Sequence, residues 1–287
     1  MRIFLAGSTG VIGRRLTPLL ASRGHAVTAM TRRPERAALL RRLGAEPVVA
    51  DAFDRAALVA AVRAARPDVV VHQLTDLAGG NAGANATLRI DGTRNLVAAA
   101  RAAGVRRIVA QSVAWAYEPG ETPAGESVPL DLEAPQPRQT TVYAIRALEF
   151  ATRELPEWVV LRYGLLYGPD TRFAPDGARA DEARAGRLTA NADVTSFVHP
   201  DDAAAAAADA LSWPTGAVNV CDDEPAAALE WVPVFCAAVG APPPLATGDR
   251  APWARGADNR RARDELGWTP AHPSWRAGFG AAARRAA

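Results

Sequence analysis

The sequence predicts a doubly wound α/β protein, with a parallel sheet covered by helices on both faces and a smaller C-terminal cap. Its short apolar runs are continuous rather than alternating, which is typical of strands buried on both faces. Longer helical stretches separate these runs over about 165 residues, as in repeated strand-helix units. A glycine-rich turn directly follows the first run. Together these observations predict a parallel sheet within a doubly wound α/β domain.

The predicted elements alternate along the first half of the chain. The strand candidates are Ile3–Ala6, Ala26–Met30, Pro47–Ala50, Asp68–Leu74, Arg107–Gln111, Trp158–Arg162 and Ala217–Val220. The predicted helices are Val11–Arg23, Pro34–Leu43, Ala56–Ala65, Gly92–Ala103 and Thr141–Leu155. Gly24, Gly44 and Gly104 follow three of these helices, where glycine commonly ends a helix with a positive φ.

The composition changes after Gly168. Pro169–Gly186 is rich in Gly, Pro, Asp and Arg and is predicted to be a loop, whereas the alanine-rich Asp201–Leu211 is predicted to be a helix. We therefore assign residues 1–168 to the main domain, with returning elements near 194–222, and residues 169–287 mainly to a substrate-binding cap.

The charge balance excludes several function classes. The 287 residues include 33 basic and 31 acidic side chains, a near-neutral balance that argues against nucleic acid or a polybasic membrane surface as a partner. No apolar run approaches the roughly 18 residues of a membrane span. Every basic residue is arginine, so chemistry that depends on lysine is excluded.

The remaining composition predicts a cytoplasmic protein that acts on a small molecule as a monomer or homodimer. Cys221 and Cys236 are the two cysteines, too few for a disulfide framework or a four-thiolate zinc site. The N-terminus has no features of a targeting segment. Paired aspartates such as Asp201 and Asp202 are typical of helix N-caps, and we expect no metal.

The glycine-rich turn predicts a dinucleotide site. It reads Gly7, Ser8, Thr9, Gly10, Val11, Ile12 and Gly13. It lies between the first strand and the first helix, where glycines permit a tight turn and a close approach of the backbone to a pyrophosphate. This context predicts a Rossmann domain over residues 1–168.

The end of the second strand favours NADP over NAD. An acidic residue there would bind the ribose 2′-hydroxyl of NAD, but this chain has Arg32 and Arg33, which suit a 2′-phosphate. The alternative is that both arginines are solvated surface charges. Further cofactor contacts are predicted at the ends of later strands, at Asp51, Ala52, Leu74, Thr75, Tyr163 and Gly164.

Five motifs resemble those of short-chain dehydrogenases/reductases, in particular the extended and atypical branch that includes NAD-dependent epimerases and dehydratases. They are the turn at 7–13, Gly92–Leu96 (GTRNL), Leu161–Pro169 (LRYGLLYGP), Phe197–Ala203 (FVHPDDA) and Leu266–Pro270 (LGWTP). The resemblance covers nearly the whole chain. It implies a nicotinamide cofactor and a small-molecule substrate.

The catalytic residues depart from that family pattern of Ser, Tyr and Lys. Ser112 matches the family's Ser region, but no alignment supplies the Tyr-x-x-x-Lys pair. If Glu149 is the glutamate that usually follows the lysine, Thr141 and Ile145 occupy the two positions. If Tyr143 is the tyrosine, Ala147 replaces the lysine.

A local alternative pairs Tyr143 with Arg146, which share one helix face and would allow the guanidinium to favour the phenolate. Tyr143 is otherwise expected to pack on the buried side of its helix. The predicted catalytic residues are therefore Ser112, Tyr143 and Arg146.

The substrate pocket is predicted to include Tyr117, Tyr167 and His199. For His199, the position beside a helix start favours a structural histidine over a proton carrier. Tyr167 is expected to be a wall residue rather than an acid. The tryptophans of the later chain (Trp213, Trp231, Trp253, Trp268 and Trp275) favour a fairly apolar substrate over a nucleotide sugar.

These features predict an NADP-dependent oxidoreductase that transfers hydride between the nicotinamide and a carbonyl or alcohol. Two alternatives keep the fold. One is a non-redox isomerase, epimerase, dehydratase or cyclase. The other is a non-catalytic NADP-binding sensor.

Overall fold

The computed structural model describes residues 1–76 and 81–279, so the end of the predicted cap at 280–287 lies outside the described residues. The chain divides into two compact units that interleave along the sequence. Unit 1 comprises Met1–Ser112, Leu132–Leu161 and Ala204–Ala217; unit 2 comprises Val113–Asp131, Arg162–Ala203 and the chain from Val218 onward. Within the described residues, no helix combines the length and apolar character required to cross a membrane.

The strands and helices follow the predicted alternation closely. The main strands are β1 (Arg2–Ala6), β2 (Ala26–Thr31), β3 (Glu46–Val49), β4 (Val69–His72), β5 (Arg107–Val113), β6 (Glu157–Tyr163) and β11 (Gly216–Val220). The helices are α1 (Gly13–Ser22), α2 (Ala37–Arg42), α3 (Arg55–Ala65), α4 (Ala82–Thr87), α5 (Thr93–Ala102), α6 (Arg138–Thr152), α7 (Ala178–Arg184), α8 (Pro200–Asp209) and α9 (Ala228–Ala238). Pro34–Arg36 forms a 3₁₀ turn, and Leu88–Gly92 and Arg261–Glu265 form π turns.

The main strands form one seven-stranded sheet in the order β11-β6-β5-β4-β1-β2-β3. The pairs from β3 to β5 are parallel, and the register places Ala6 opposite both Met30 and His72. The segments that follow β1, β2 and β4 therefore leave the sheet at the same carboxyl edge. This edge is where ligands bind in open α/β sheets.

The core of unit 1 confirms the prediction of strands buried on both faces. Phe4, Val70, Leu58, Leu96 and Ile108 belong to one buried cluster contributed by strands and helices. The predicted helix caps are also confirmed, because Gly24, Gly44 and Gly104 have φ values of +78°, +88° and +74°. The doubly wound α/β fold is thus the observed one.

The helix before β5 is longer than predicted. The sequence predicts a start at Gly92, but α4, the π turn and α5 form a continuous helical segment from Ala82. Asn81 caps it by accepting a hydrogen bond from the Ala84 amide at 3.0 Å. The small residues Ala82–Ala86 have no strong apolar periodicity, which is why the sequence did not reveal this helix.

Unit 2 contains the minor strands and an aromatic core. The minor strands are β7 (Leu165–Leu166), β8 (Thr189–Ala190), β9 (Val194–Thr195), β10 (Phe197–Val198), β12 (Ala226–Ala227) and β13 (Leu245–Ala246). Tyr167, Phe173, Phe197, Trp231 and Phe279 pack in one cluster. The prediction of a loop over Pro169–Gly186 is wrong at its end, because α7 forms there and buries Ala180 and Ala183.

A buried carboxyl group in unit 2 gives the stability a pH dependence. Asp222 is 1% exposed and accepts a hydrogen bond from the Trp275 amide at 2.9 Å, and burial raises its pKa to about 8. A raised folded-state pKa means that the native state binds the proton more tightly than the unfolded chain. The free energy of unfolding should therefore fall as pH rises from about 4 to 8, by up to about 1.4 kcal/mol per pH unit.

Asp222→Asn is expected to flatten this fall. Urea unfolding of both proteins at pH 5 and pH 8 measures it, since only the wild type should lose stability strongly between the two. Equal losses in the two proteins would contradict the assignment to Asp222.

Candidate active site

The turn after β1 requires glycine for steric reasons. Gly7 has a φ of +93°, and a Cβ there would lie 2.4 Å from the Gln73 carbonyl oxygen. A Cβ at Gly13 would lie 2.2 Å from the Gly7 oxygen. The turn therefore packs directly against the end of β4, and the start of α1 packs against the turn.

The outer surface of this turn fits a dinucleotide phosphate group. Ser8 turns inward, is fully buried and donates to the Met30 carbonyl at 2.7 Å, while Gly10 is exposed. Helix α1 begins without a side-chain cap and has no acidic residue in its first turn. The positive end of its helix dipole therefore faces an anion without a competing carboxylate from the first turn.

The two arginines after β2 are free to bind an anion. Arg32 and Arg33 are exposed, and no described residue forms an ion pair or side-chain hydrogen bond with either guanidinium. The Thr31 hydroxyl accepts from the Arg33 amide at 3.1 Å, which holds the turn at the carboxyl edge. This arrangement is compatible with either prediction, a 2′-phosphate clamp or solvated charges.

The other predicted cofactor residues of unit 1 follow β3 and β4. Asp51 accepts from the Phe53 amide at 2.9 Å, and the carbonyl of the buried Ala52 accepts from Asn95 at 2.9 Å. The Leu74 carbonyl accepts from Gln111 at 3.0 Å, and Thr75 is exposed. All four lie just beyond strand ends at the carboxyl edge, as predicted from the chain order.

Two buried residues near the end of β4 escaped the sequence analysis as site residues. His72 is fully buried, and burial lowers its pKa to about 4. Its Nδ1 lies 3.1 Å from the Leu74 amide and its Nε2 2.8 Å from the Thr93 hydroxyl, so the ring is neutral and Nε2 carries the proton. Arg89, in the π turn, is only 3% exposed. Nothing in a single sequence distinguishes this arginine from the many exposed ones.

Ser112 is placed at the end of β5, as predicted, but its hydroxyl is already engaged. It is 1% exposed and donates to Oε1 of Glu149 at 2.8 Å. Glu149 lies on α6, is 2% exposed and has Arg153 at 3.8 Å from its other oxygen. The structure thus joins Ser112 to the glutamate that the family pattern identifies, rather than to Tyr143.

Tyr143 and Arg146 lie on the outer face of α6. The prediction that Tyr143 packs on the buried side of its helix is wrong, because the residue is 45% exposed, and Arg146 is exposed beside it. The buried positions of α6 are Val142, Ile145 and Glu149 among others. The two family dyad positions in the Glu149 alignment, Thr141 and Ile145, thus carry no ionisable group.

Two predicted tyrosines of unit 2 have their hydroxyl groups bound within that unit, and the neighbouring Gly164 is tightly packed there. Tyr117 is 1% exposed, donates to Asn219 and accepts from Arg162 at 3.0 Å, and burial raises the pKa of its phenol. The Tyr163 hydroxyl donates to the Ala203 carbonyl at 3.3 Å. A Cβ at Gly164 would lie 2.7 Å from the Ser196 oxygen, so glycine is required there for packing.

Tyr167 and His199 lie in the interior of unit 2. Tyr167 is fully buried, and burial raises the pKa of its phenol; the His199 ring meets it edge to face at 5.5 Å. His199 also stacks on His272 at 3.8 Å with the ring planes 24° apart. Although ligand atoms of these histidines and Asp201 lie within 4.8 Å of one another, stacked rings direct their in-plane lone pairs alongside each other. The geometry therefore fits ring packing.

Four of the five tryptophans on which the predicted apolar substrate rests do not support it, whereas Trp253 is partly exposed. Trp213, Trp231, Trp268 and Trp275 are 0–6% exposed and serve the hydrophobic core. Tryptophan suits an interior as well as a binding surface, and the sequence does not separate the two.

Sequence comparisons identify the family to which the chain is similar. Residues 7–207 match a family described as NAD(P)H-binding. A "3-diazoavenalumate denitrifying reductase" of Streptomyces sp. is 48% identical, with 98% of this chain and 99% of the relative covered. A "2-alkyl-3-oxoalkanoate reductase" of Stenotrophomonas maltophilia (strain K279a) is 32% identical, with 84% and 77% covered.

Solved structures share the fold. The enzyme WbmG of Bordetella bronchiseptica, crystallised with NAD and UDP, superposes with a TM-score of 0.78 at 23% identity, with 100% of this chain and 96% of that chain covered. UDP-glucose 4-epimerase of Thermus thermophilus, in complex with NAD, gives 0.76 at 23% identity, with 99% and 98% covered.

Proposed function

Because this chain belongs to the NAD(P)H-binding family, we propose that it is an NADPH-dependent reductase that removes a diazo group from a small carboxylate substrate. Its identity to the Streptomyces reductase extends over both whole chains, which supports the class of substrate. Arg32 and Arg33, exposed beside the glycine turn, support the preference for NADPH over NADH.

The engaged hydroxyl of Ser112 is the observation that carries this proposal. Reduction of a carbonyl requires a hydride at carbon and a proton at oxygen, and a positioned acid usually supplies the proton. Here Ser112 donates to Glu149 at 2.8 Å, Tyr143 is exposed at 45%, and the chain contains no lysine. A reaction without an oxygen to protonate fits these residues better.

Reductive loss of dinitrogen from a diazonium group is such a reaction. When bound, the reduced nicotinamide supplies a hydride, so that a C–H bond forms at the carbon while the C–N bond breaks and its electron pair leaves with N₂. No proton is consumed. The chain then has to bind and orient the substrate and exclude water, for which side-chain acids are not required.

Carbonyl reduction, as predicted from the sequence, is the second candidate. It is favoured by the 32% identity to the oxoalkanoate reductase, and it would use Ser112 and Tyr143 as donors to the substrate oxygen. The likeness to an epimerase structure is below 25% identity and supports the fold rather than a non-redox reaction.

The two candidates differ in their response to substrates and to mutation. With NADPH, a carboxyphenyl diazonium salt should be reduced with one N₂ released per NADPH oxidised, and deuterium from the 4-position of labelled NADPH should appear at the carbon that lost nitrogen. A 3-oxo acid should react about 100-fold or more slowly, the factor that a general acid contributes. Gly10→Ala, which is expected to weaken dinucleotide binding, measures any reduction of the probe that does not depend on cofactor bound to the protein.

Tyr143→Phe is expected to leave kcat for the diazonium probe within about twofold of the wild type, as for a typical surface substitution. Faster turnover of the 3-oxo acid than of the diazonium probe, together with loss of activity in Tyr143→Phe, would establish carbonyl reduction instead.

A further inference from the structure

Arg89 is a buried arginine whose guanidinium has no partner among the described residues. The residue is 3% exposed, and its buried Nε has no hydrogen-bond partner. None of the described residues forms an ion pair or side-chain hydrogen bond with its guanidinium. Burial alone lowers its pKa to about 10, so the group stays charged at neutral pH.

Such an arrangement is costly in a folded protein. Removing an ion from water costs several kcal/mol unless a counter-charge and hydrogen bonds compensate, and guanidinium offers five N–H donors. An arginine that merely filled space could be replaced by an apolar side chain with a gain in stability. A buried guanidinium whose Nε has no partner is suited to an anion, which would supply a counter-charge and hydrogen-bond acceptors.

The helix that carries Arg89 directs it toward the end of β4. Asn85, Arg89 and Thr93 are spaced four residues apart and share one face of the α4–π–α5 segment. Asn85 accepts from the Asp76 amide at 2.9 Å, and Thr93 contacts His72 at 2.8 Å. Arg89 therefore lies over the chain leaving β4, at the carboxyl edge of the sheet. The π turn at Leu88–Gly92 is itself a feature frequently found at functional sites.

The anion at Arg89 is expected to differ from the phosphate groups of the cofactor, which have other binding residues. The glycine turn offers its amide groups to the pyrophosphate, and Arg32 and Arg33 are available to a 2′-phosphate. The two relatives described above are both named for carboxylates, a diazoavenalumate and an oxoalkanoate. We propose that Arg89 binds the carboxylate of the substrate and determines the preference for acids over neutral analogues. The carboxylate as ligand rests on the proposed function, whereas the need for an anion rests on Arg89 itself.

The test compares Arg89→Met and Arg89→Gln with a matched control. Arg94→Met removes an exposed arginine, paired with Asp91 at 3.3 Å, from the same helix. In the presence of NADPH, cinnamate should raise the Tm of the wild type and of Arg94→Met, whereas methyl cinnamate should not. Neither Arg89 variant should show a rise in Tm with cinnamate.

The kinetics give a second readout. The KM for the diazonium acid should rise about 10- to 100-fold in both Arg89 variants, with the Kd for NADPH unchanged.

The variants are expected to fold, because they remove a buried charge that forms no ion pair with any described residue. Arg89→Gln keeps hydrogen bonding should methionine pack poorly. Equal stabilisation of the wild type by the acid and the ester, or by neither, would overturn the proposal. So would a loss of NADPH affinity in the Arg89 variants, which would assign the anion to the cofactor. If cinnamate binds through Arg89 but neither diazonium nor 3-oxo probe is reduced, the carboxylate site stands and the proposed function fails.

Discussion

Gly10→Ala is expected to weaken dinucleotide binding by about 100-fold or more while leaving the fold nearly as stable as the wild type. Gly10 is exposed, and an added Cβ would meet only the Gly7 oxygen, at 3.3 Å, so the fold can accommodate it. The methyl group would occupy the surface through which the backbone approaches the pyrophosphate. Losing two charge-assisted hydrogen bonds, at about 1.5–3 kcal/mol each, accounts for the size of the effect.

Substitutions at two other glycines distinguish an effect on cofactor affinity from an effect on the stability of the fold. Gly24→Ala places a side chain at φ +78° with nothing within 4 Å, and should cost about 1 kcal/mol of stability without affecting NADPH. Gly13→Ala would bring Cβ to 2.2 Å from a backbone oxygen and should reduce stability as well as binding. Isothermal titration with NADPH and thermal unfolding measure the two effects. Wild-type affinity in Gly10→Ala would show that the phosphates bind elsewhere.

The double variant Arg32→Ala, Arg33→Ala is expected to lose about 10- to 100-fold in NADPH affinity and to bind NADH as the wild type does. Both guanidiniums are exposed at the end of β2, where the ribose 2′-substituent lies in a Rossmann domain. Charge-assisted bonds to a phosphate contribute about 1.5–3 kcal/mol, and bidentate geometry favours arginine for this role.

The matched control is the double variant Arg41→Ala, Arg42→Ala, which removes the same charge from the exposed end of α2. It should leave both affinities unchanged at physiological salt, because surface charges beyond a Debye length are screened. Parallel losses for NADPH and NADH in the Arg32 and Arg33 variant, or no loss at all, would identify these arginines as solvated surface charges.

Local sequence rules were sufficient to predict the sheet, because its strands are continuous apolar runs that can be recognised without knowledge of their neighbours. Val69–Val71 is a continuous apolar run and lies at the centre of the sheet, and Gly44 marks the end of α2 with a positive φ. The rules failed where the signal is weak. Ala82–Ala86 and Ala178–Ala183 form helices from small or charged residues that have no clear apolar stripe.

Some residues of the candidate site could also be predicted from local sequence, and others could not. The glycine turn depends on contacts within a few residues, such as Gly13 against Gly7, and was therefore readable in the chain. The partner of Ser112 is 37 residues away on α6. The exposure of Tyr143 depends on which face of α6 is covered, and helix periodicity alone did not identify that face.

The sequence by itself determined the α/β fold, the dinucleotide turn and the absence of lysine, since each is a property of local spacing or of composition. Only the tertiary structure decided that Ser112 donates to Glu149, that Tyr143 faces outward and that Arg89 is buried without a partner among the described residues. The physical reason is that burial and pairing arise when distant segments pack together. The sequence shows that a residue is a charged arginine, but only the fold determines whether water or protein surrounds it.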